Sequence, residues 1–184
     1  MAHKEQREFC LSVRAMFPDF CRDKTVLDMG SLDINGSNRY LFEGCTYLGI
    51  DLARGKNVDV VAMAHEFRGG PFDTIISTEM LEHDMHYPDT LRNACDLLKP
   101  GGLLLFTCAT GTRPKHGTEK SSPVDSPFTS AMDSAWKDYY QNLSEADIRK
   151  VLPVDFFFAK YAFSVQVGHQ DLQFWGLKRG RQAW

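Results

Sequence analysis

The chain has 184 residues, about one domain by the usual length prior and enough to bury a core without help from disulfides. Hydrophobic residues make up 43% and charged residues 24%, which excludes a disordered or fibrous chain. The formal net charge of -3 supplies no general attraction to nucleic acid or to an anionic membrane.

The chain opens without an apolar leader, and Phe9, Val13, Met16 and Phe17 recur at helical spacing. This predicts an amphipathic helix over 4–17, ended by Pro18 and Asp19. Thr25–Asp28 is a short apolar strand running into Gly30, and a helix from Ser37 to Glu43 is expected, stopped by Gly44. Thr46–Asp51 is a second strand, Val58–Ala62 a third and Phe72–Thr78 a fourth. Pro88–Leu98 carries Leu91, Ala94, Cys95 and Leu98 on one helical face, and Leu103–Ala109 is a buried fifth strand after Lys99-Pro100-Gly101-Gly102. Residues 111–127 are rich in Gly, Pro, Ser, Thr and charge, and a loop that long in a compact domain is usually functional or disordered. Helical segments at about 128–141 and 144–151, and strands over 156–167 and 172–177, complete the chain. Strands alternating with helices or short connections predict a mostly parallel α/β sheet in a single domain over 1–184. Lys178, Arg179 and Arg181 form a basic cluster expected to be a solvated tail.

Five cysteines, Cys10, Cys21, Cys45, Cys95 and Cys108, contain no C-x-x-C pair, so neither a disulfide framework nor a zinc knuckle is indicated. No segment is long and apolar enough to span a bilayer, and a reducing cytoplasm is the expected setting.

Ligands of open α/β sheets sit beyond the carboxyl ends of the strands. Four polar clusters occupy such ends: Asp28-Met29-Gly30-Ser31, Ile50-Asp51, Met63-Ala64-His65 and Ser77-Thr78-Glu79. One elongated ligand lying across the sheet would touch all four. Asp51 can accept two hydrogen bonds from ribose hydroxyls; the plain alternative is that Asp28 and Asp51 cap turns. A dinucleotide is disfavoured, because Gly30–Gly36 is not G-x-G-x-x-G and would set a pyrophosphate against Asp33.

The run Val26–Ser37, with Gly30-Ser31 followed by Asn35-Gly36-Ser37, resembles the first motif of class I methyltransferases dependent on S-adenosylmethionine, in the form found in small bacterial and phage enzymes. Gly49-Ile50-Asp51 resembles their ribose-binding strand end. Phe72–His83 and Leu98–Phe106 resemble the later motifs of the methyltransferase type 11 group. The resemblance implies a Rossmann-like three-layer sandwich on a seven-stranded, mostly parallel sheet with an antiparallel last strand. It also implies that the cofactor contacts Asp28, Gly30, Ser31 and Leu32, then Asp51 and Leu52, then Met63, Ala64 and His65, then Thr78 and Glu79. Two departures stand out. The family carries Asp where Met63 stands, so adenine recognition is expected to rest on backbone groups of Ala64 and His65. Only Leu52–Asn57 separates the second and third strands, so the helix common there is missing.

Glu79–His86 is dense in metal-ligand types, but the family matches at this position do not generally need metal, and none is expected. His86 or His116 is the expected base for the acceptor, the other orienting it, while His83 either shapes the pocket floor or serves as base. Residues 111–127, with Arg113, Lys115, His116 and Lys120, are expected to close as a lid over an anionic or sugar-like acceptor. Trp136, Tyr139 and Tyr140 are candidates for its wall. The resulting expectation is transfer of a methyl group from S-adenosylmethionine to an O or N nucleophile of a small molecule or glycan. The alternatives are a non-catalytic module that binds the cofactor, and an enzyme acting on RNA, which lacks the basic face that RNA binding needs.

Overall fold

The computed structural model describes residues 3–133 and 135–180. Seven strands form one sheet in the order β3-β2-β1-β4-β5-β7-β6. They are β1 (Thr25–Met29), β2 (Thr46–Asp51), β3 (Val60–Val61), β4 (Phe72–Thr78), β5 (Leu98–Ala109), β6 (Phe158–Gln166) and β7 (Asp171–Lys178). The pairings from β3 to β5 are parallel, and β7 runs antiparallel to both β5 and β6. The antiparallel last strand of the expected fold is therefore present.

Side chains alternate across a strand, and here each face has its own core. Val26, Ile76, Leu103 and Leu105 pack with Phe9, Cys10 and Val13 of α1 (Lys4–Met16). Leu27, Ile75, Leu104 and Phe106 pack on the other face with Leu91, Ala94 and Cys95 of α2 (Tyr87–Leu97). Central strands covered on both sides are apolar at most positions, which is why Leu103–Phe106 of β5 reads as a continuous apolar run and β4 carries Ile75 and Ile76 at its centre. Residues Pro127–Ser130 form α3, Glu145–Val151 α4 and Val154–Phe157 α5. Ser144 and Asp147 close a capping box at the start of α4, satisfying two backbone N–H groups that the first turn leaves open.

The helix expected over Ser37–Glu43 is only a 3-10 turn, Asn38–Leu41. Leu41 is its one buried apolar side chain, too little to hold further turns. The third strand shrinks to two residues, Val60–Val61; just before it Asp59 keeps its N–H on the Gly49 carbonyl at 2.9 Å, while its carboxylate takes the Gly49 N–H at 2.7 Å, where a ladder carbonyl would otherwise accept. Leu98 begins β5 instead of ending α2, since Lys99 precedes a proline and is disfavoured in helical geometry. The helix expected over 128–141 is broken, with a 3-10 turn at Ala135–Asp138 whose Trp136 indole donates to the His83 carbonyl at 2.5 Å. The early part of the segment expected as a strand from Phe156 is helical, and β6 starts at Phe158.

Lys178 is not a solvated tail. Its Nζ donates to the carbonyls of Cys95 and Leu98 at 2.6 and 2.7 Å, a cation on the carboxyl end of α2. Arg179 bonds the Asp155 carbonyl, and Arg181 lies outside the described residues. No described helix is long and apolar enough to cross a membrane. Cys95 and Cys108 are buried thiols, and all five cysteines are free.

Candidate active site

A cleft of about 930 Å³, counting the solvent space at its open mouth, lies at the carboxyl ends of β1, β2 and β4. Its floor begins at Gly30, whose φ of +82° few side chains adopt and where a Cβ would sit 2.5 Å from Met80 Cγ. The N–H groups of Gly30 and Ser31 both donate to the Ile50 carbonyl at 3.0 Å, which ties the first loop to β2. Asp51 ends β2 with its two oxygens each taking a backbone N–H, Leu32 at 3.0 Å and Leu52 at 2.7 Å. Burial raises the pKa of this carboxyl and those two bonds oppose the rise.

Asp28 is almost wholly enclosed. Burial pushes its carboxyl up to about 7, against hydrogen bonds donated by the Tyr47 hydroxyl and Asn38 Nδ2 that favour the anion. Its Oδ1 has no hydrogen-bond partner among the described residues. Asn38 Nδ2 also donates to Thr78 Oγ1 at 3.0 Å, so one amide links β1 to β4 beneath the cleft. On the far side Asp125, Ser126, Phe128 and Thr129 complete the wall. Leu32 and Phe128 approach Gly55 so closely that a Cβ there would meet them at 2.4 and 3.1 Å.

The turn after β4 is held differently. Glu79 has a φ of +54°, rare for a residue with a side chain. Its N–H donates to the Thr107 carbonyl, and its carboxylate receives Thr107 Oγ1 at 2.7 Å and Arg113 Nη1 at 2.6 Å. Arg113 Nη1 also reaches Asp171 at 2.6 Å, and His3 Nε2 lies 3.2 Å from Asp171 and 3.5 Å from Glu79. Burial alone would raise the Glu79 pKa, but His3 and Arg113 outweigh it and hold the carboxyl below the usual range. Three residues on, Glu82 is enclosed with both oxygens unpartnered among the described residues. Burial, then the Glu79 charge, pushes Glu82 up to about 8.

His83 lines the cleft. Burial, then the neighbouring His116, lowers its pKa to about 3, so the ring is neutral. The His116 ring centroid is 5.1 Å away, and Tyr140 stands 5.5 Å from His83 and 4.9 Å from His116. His116 Nδ1 is 3.0 Å from the Pro114 carbonyl. That contact puts the ring proton on Nδ1 and leaves a lone pair on Nε2.

Of the residues expected at the site, Asp28, Gly30, Ser31, Leu32, Asp51, Leu52, Ala64, Thr78, Glu79 and His83 line the cleft. Met63, His65, His86 and His116 do not. The Met63 carbonyl accepts the N–H groups of Glu66 and Phe67, and the Ala64 carbonyl is taken by Asn93 Nδ2 at 2.7 Å. His86 stacks on His65 at 4.2 Å, and Asp84 serves the start of α2, accepting the His86 N–H and the Thr90 hydroxyl. The lid cations do not wait for an anion. Arg113 is held by Glu79 and Asp171, and Lys115 and Lys120 both bond to Asp138. Trp136 lines the cleft as expected, and of the lid expected over 111–127 only Asp125–Pro127 do so, continued by Phe128 and Thr129 of α3. Asn38 and Tyr47 were absent from the expected set; the Asn beside Ser37 is a visible polar residue, but nothing in spacing assigns it to Asp28.

A family model described as a methyltransferase domain matches residues 1–149. No curated protein sequence matches the chain. Among solved structures, the chain is similar to the 1,6-didemethyltoxoflavin-N1-methyltransferase of Burkholderia thailandensis, which holds 1,6-didemethyltoxoflavin and S-adenosylhomocysteine. The TM-score is 0.65 at 16% identity, covering 95% of this chain and 78% of that one. The magnesium protoporphyrin IX methyltransferase of Synechocystis PCC 6803, with S-adenosylhomocysteine bound, aligns at TM-score 0.60 and 18% identity, over 95% of this chain and 83% of that one. Phosphoethanolamine N-methyltransferase 2 of Haemonchus contortus, in complex with S-adenosylmethionine, aligns at 0.64 and 15%, over 94% of this chain but only 52% of that one. At such identities the likeness speaks for the fold, while the family model spans most of the sequence. The chain belongs to the methyltransferase-domain family, the S-adenosylmethionine-dependent enzymes that its strand-end motifs resemble.

Proposed function

We propose that the chain transfers the methyl group of S-adenosylmethionine to an oxygen or nitrogen nucleophile of a small molecule or glycan, with the cofactor in the cleft above β1, β2 and β4. The observation that carries this reading is Asp51. Two backbone N–H groups fix its carboxylate at a strand end on the cleft, and each oxygen keeps a lone pair for a ribose hydroxyl. The cleft also fits the rest of the cofactor. Asp28 Oδ1 is buried without a partner among the described residues, and carboxylates of Asp28, Asp51, Asp84 and Asp125 line the walls, a setting that favours a cationic ligand.

When bound, the cofactor supplies an already activated methyl on a positively charged sulfur. The chain's own part is alignment and exclusion of water, and good alignment supplies on the order of 7–11 kcal/mol of such a barrier. Asp125–Thr129 and Trp136 wall the cleft. His83 presents a neutral ring to the cleft, suited to orienting a hydroxyl or amine, and His116 stands behind it, ring centroids 5.1 Å apart. Because the lid cations are bonded internally, an uncharged acceptor is favoured over an anionic one.

The test is formation of S-adenosylhomocysteine by the purified chain over a panel of hydroxylated and amine acceptors, read by mass spectrometry. With an acceptor in hand, His116→Ala is expected to keep S-adenosylhomocysteine affinity within about twofold while lowering turnover about 10²-fold. A chain that binds the cofactor yet produces nothing with any acceptor would be a binding module.

A further inference from the structure

Among the described residues, three groups of histidines and acids come close enough to share an ion: His3 with Glu79 and Asp171, His3 with Glu5 and His169, and Glu82 with His83 and His116. The first already holds a cation, since Arg113 lies 2.6 Å from both carboxylates. The second is only half-buried, and Glu5 is already hydrogen-bonded to His3. The third differs from both in its unmet bonding capacity. Both oxygens of Glu82, both ring nitrogens of His83 and Nε2 of His116 are buried without a hydrogen-bond partner among the described residues. Glu82 is 0% exposed and His83 3%, so bulk water does not satisfy them.

We propose that Glu82, His83 and His116 bind one divalent transition-metal ion of the zinc class, with one coordination position left open. Their donor atoms lie within 4.8 Å of one another. The edges of a tetrahedral site with bonds of about 2.0–2.2 Å are roughly 3.4 Å, so side-chain rotations of about 1 Å close the site. Two imidazoles and one carboxylate form the donor set of catalytic zinc sites, and nitrogen donors select against calcium and magnesium. The backbone prepares the geometry. The carbonyls of Glu82 and His83 are anchored by the Gln141 N–H and the Trp136 indole. His116 directs its Nδ1 proton to the Pro114 carbonyl, the outer-sphere bond that orients metal-bound imidazoles. Gly117 keeps the approach clear, because a Cβ there would stand 2.5 Å from His83 Cε1 and 3.0 Å from its Nδ1.

This departs from the metal-free expectation drawn from the family resemblance. Since His83 also lines the cleft, the open position accepts water or an oxygen or nitrogen of the methyl acceptor; that last step rests on the methyl-transfer reading, whereas ion binding does not.

The chelator-stripped chain is titrated with Co²⁺ and then Zn²⁺, followed by visible absorption and calorimetry. One Co²⁺ per chain with the ligand-field bands of a four-coordinate site, displaced by Zn²⁺, is the expected result. Glu82→Gln and His116→Ala each weaken binding by more than about 100-fold, while His169→Ala, in the second cluster, leaves it unchanged. No saturable micromolar binding, or wild-type affinity in either ligand variant, or loss of binding in His169→Ala, overturns the site. S-adenosylhomocysteine affinity, measured on the same proteins, tests the cofactor cleft separately: its absence would sink the methyl-transfer reading and leave the ion result standing.

Discussion

Glu79 and Glu82 stand three residues apart on the turn after β4, both buried, with opposite surroundings. Glu79 shares Arg113 with Asp171, receives the Thr107 hydroxyl and faces His3. Glu82 faces His83 and His116 and has no hydrogen-bond donor among the described residues. Burying a charge is costly unless it is paired, so the chain resolves the same problem in two ways. Around Glu79 it brings its own counter-charges, His3 from the N-cap of α1 and Arg113 from the loop after β5, and the N-terminal helix is fastened to the sheet as a result. Around Glu82 it gathers two imidazoles with unmet lone pairs and supplies no cation. A fully paired cluster acts as a structural clasp; a cluster of unmet donors is where a ligand gains most by binding.

The largest effect expected from this contrast is on stability. Arg113→Ala leaves Glu79 and Asp171 buried without their shared cation and is expected to cost about 3–5 kcal/mol. Glu82→Gln removes a carboxyl that has no partner to lose and should fall within about 1 kcal/mol of the parent in the ion-free protein. Denaturant unfolding of the two variants decides it; equal losses would erase the distinction between the clusters.

A smaller effect sharpens the boundary between the cofactor end and the acceptor end. Asp51→Ala is expected to weaken S-adenosylhomocysteine by about 1–3 kcal/mol through lost charge-assisted bonds to the ribose. Calorimetry showing unchanged affinity in a folded Asp51→Ala protein would remove the ribose assignment.

The smallest effect is a pH dependence of the clasp. His3 faces Glu79, Asp171 and Glu5, stacks on His169 at 3.8 Å, and has Arg113 across the same two carboxylates. Burial lowers its pKa, but the carboxylates prevail and the net shift is upward from 6.5. A raised folded value means that this stabilisation is complete below 6.5, the ordinary value, and is lost as pH rises through the folded value. The difference in unfolding free energy between the parent and His3→Gln should therefore be larger at about pH 5.5 than at about pH 9. A difference that grows with pH would show that His3 does not act as a cation here.

Much of the molecule was legible before its structure. β1, β2, β4 and α2 follow from apolar runs and one-face periodicity, because burial on both sides of a central strand leaves an unmistakable local pattern. Gly30 and Asp51 were legible for the same reason: a left-handed turn and an acid at a strand end are demands on single positions. Weak elements were not. Ser37–Glu43 carries helix-starting chemistry yet makes one 3-10 turn, since its length was decided by how little apolar surface it could bury. The segment over 128–141 broke where Trp136 found the His83 carbonyl.

By itself, then, the sequence determined the fold class, the strand ends that form the cleft and the family, all of which rest on local patterns and their order along the chain. Only the tertiary structure decided which polar residues meet. Arg113 and the lysines of its loop read as a basic lid, but partners up to 58 residues away along the chain took Arg113 into the clasp. His86, equal to His83 on spacing, turned to stack on His65, while His83 met His116 from 33 residues further on. Charge satisfaction acts over distances of a few ångströms in space whatever the separation in sequence, and no periodicity in the chain records it.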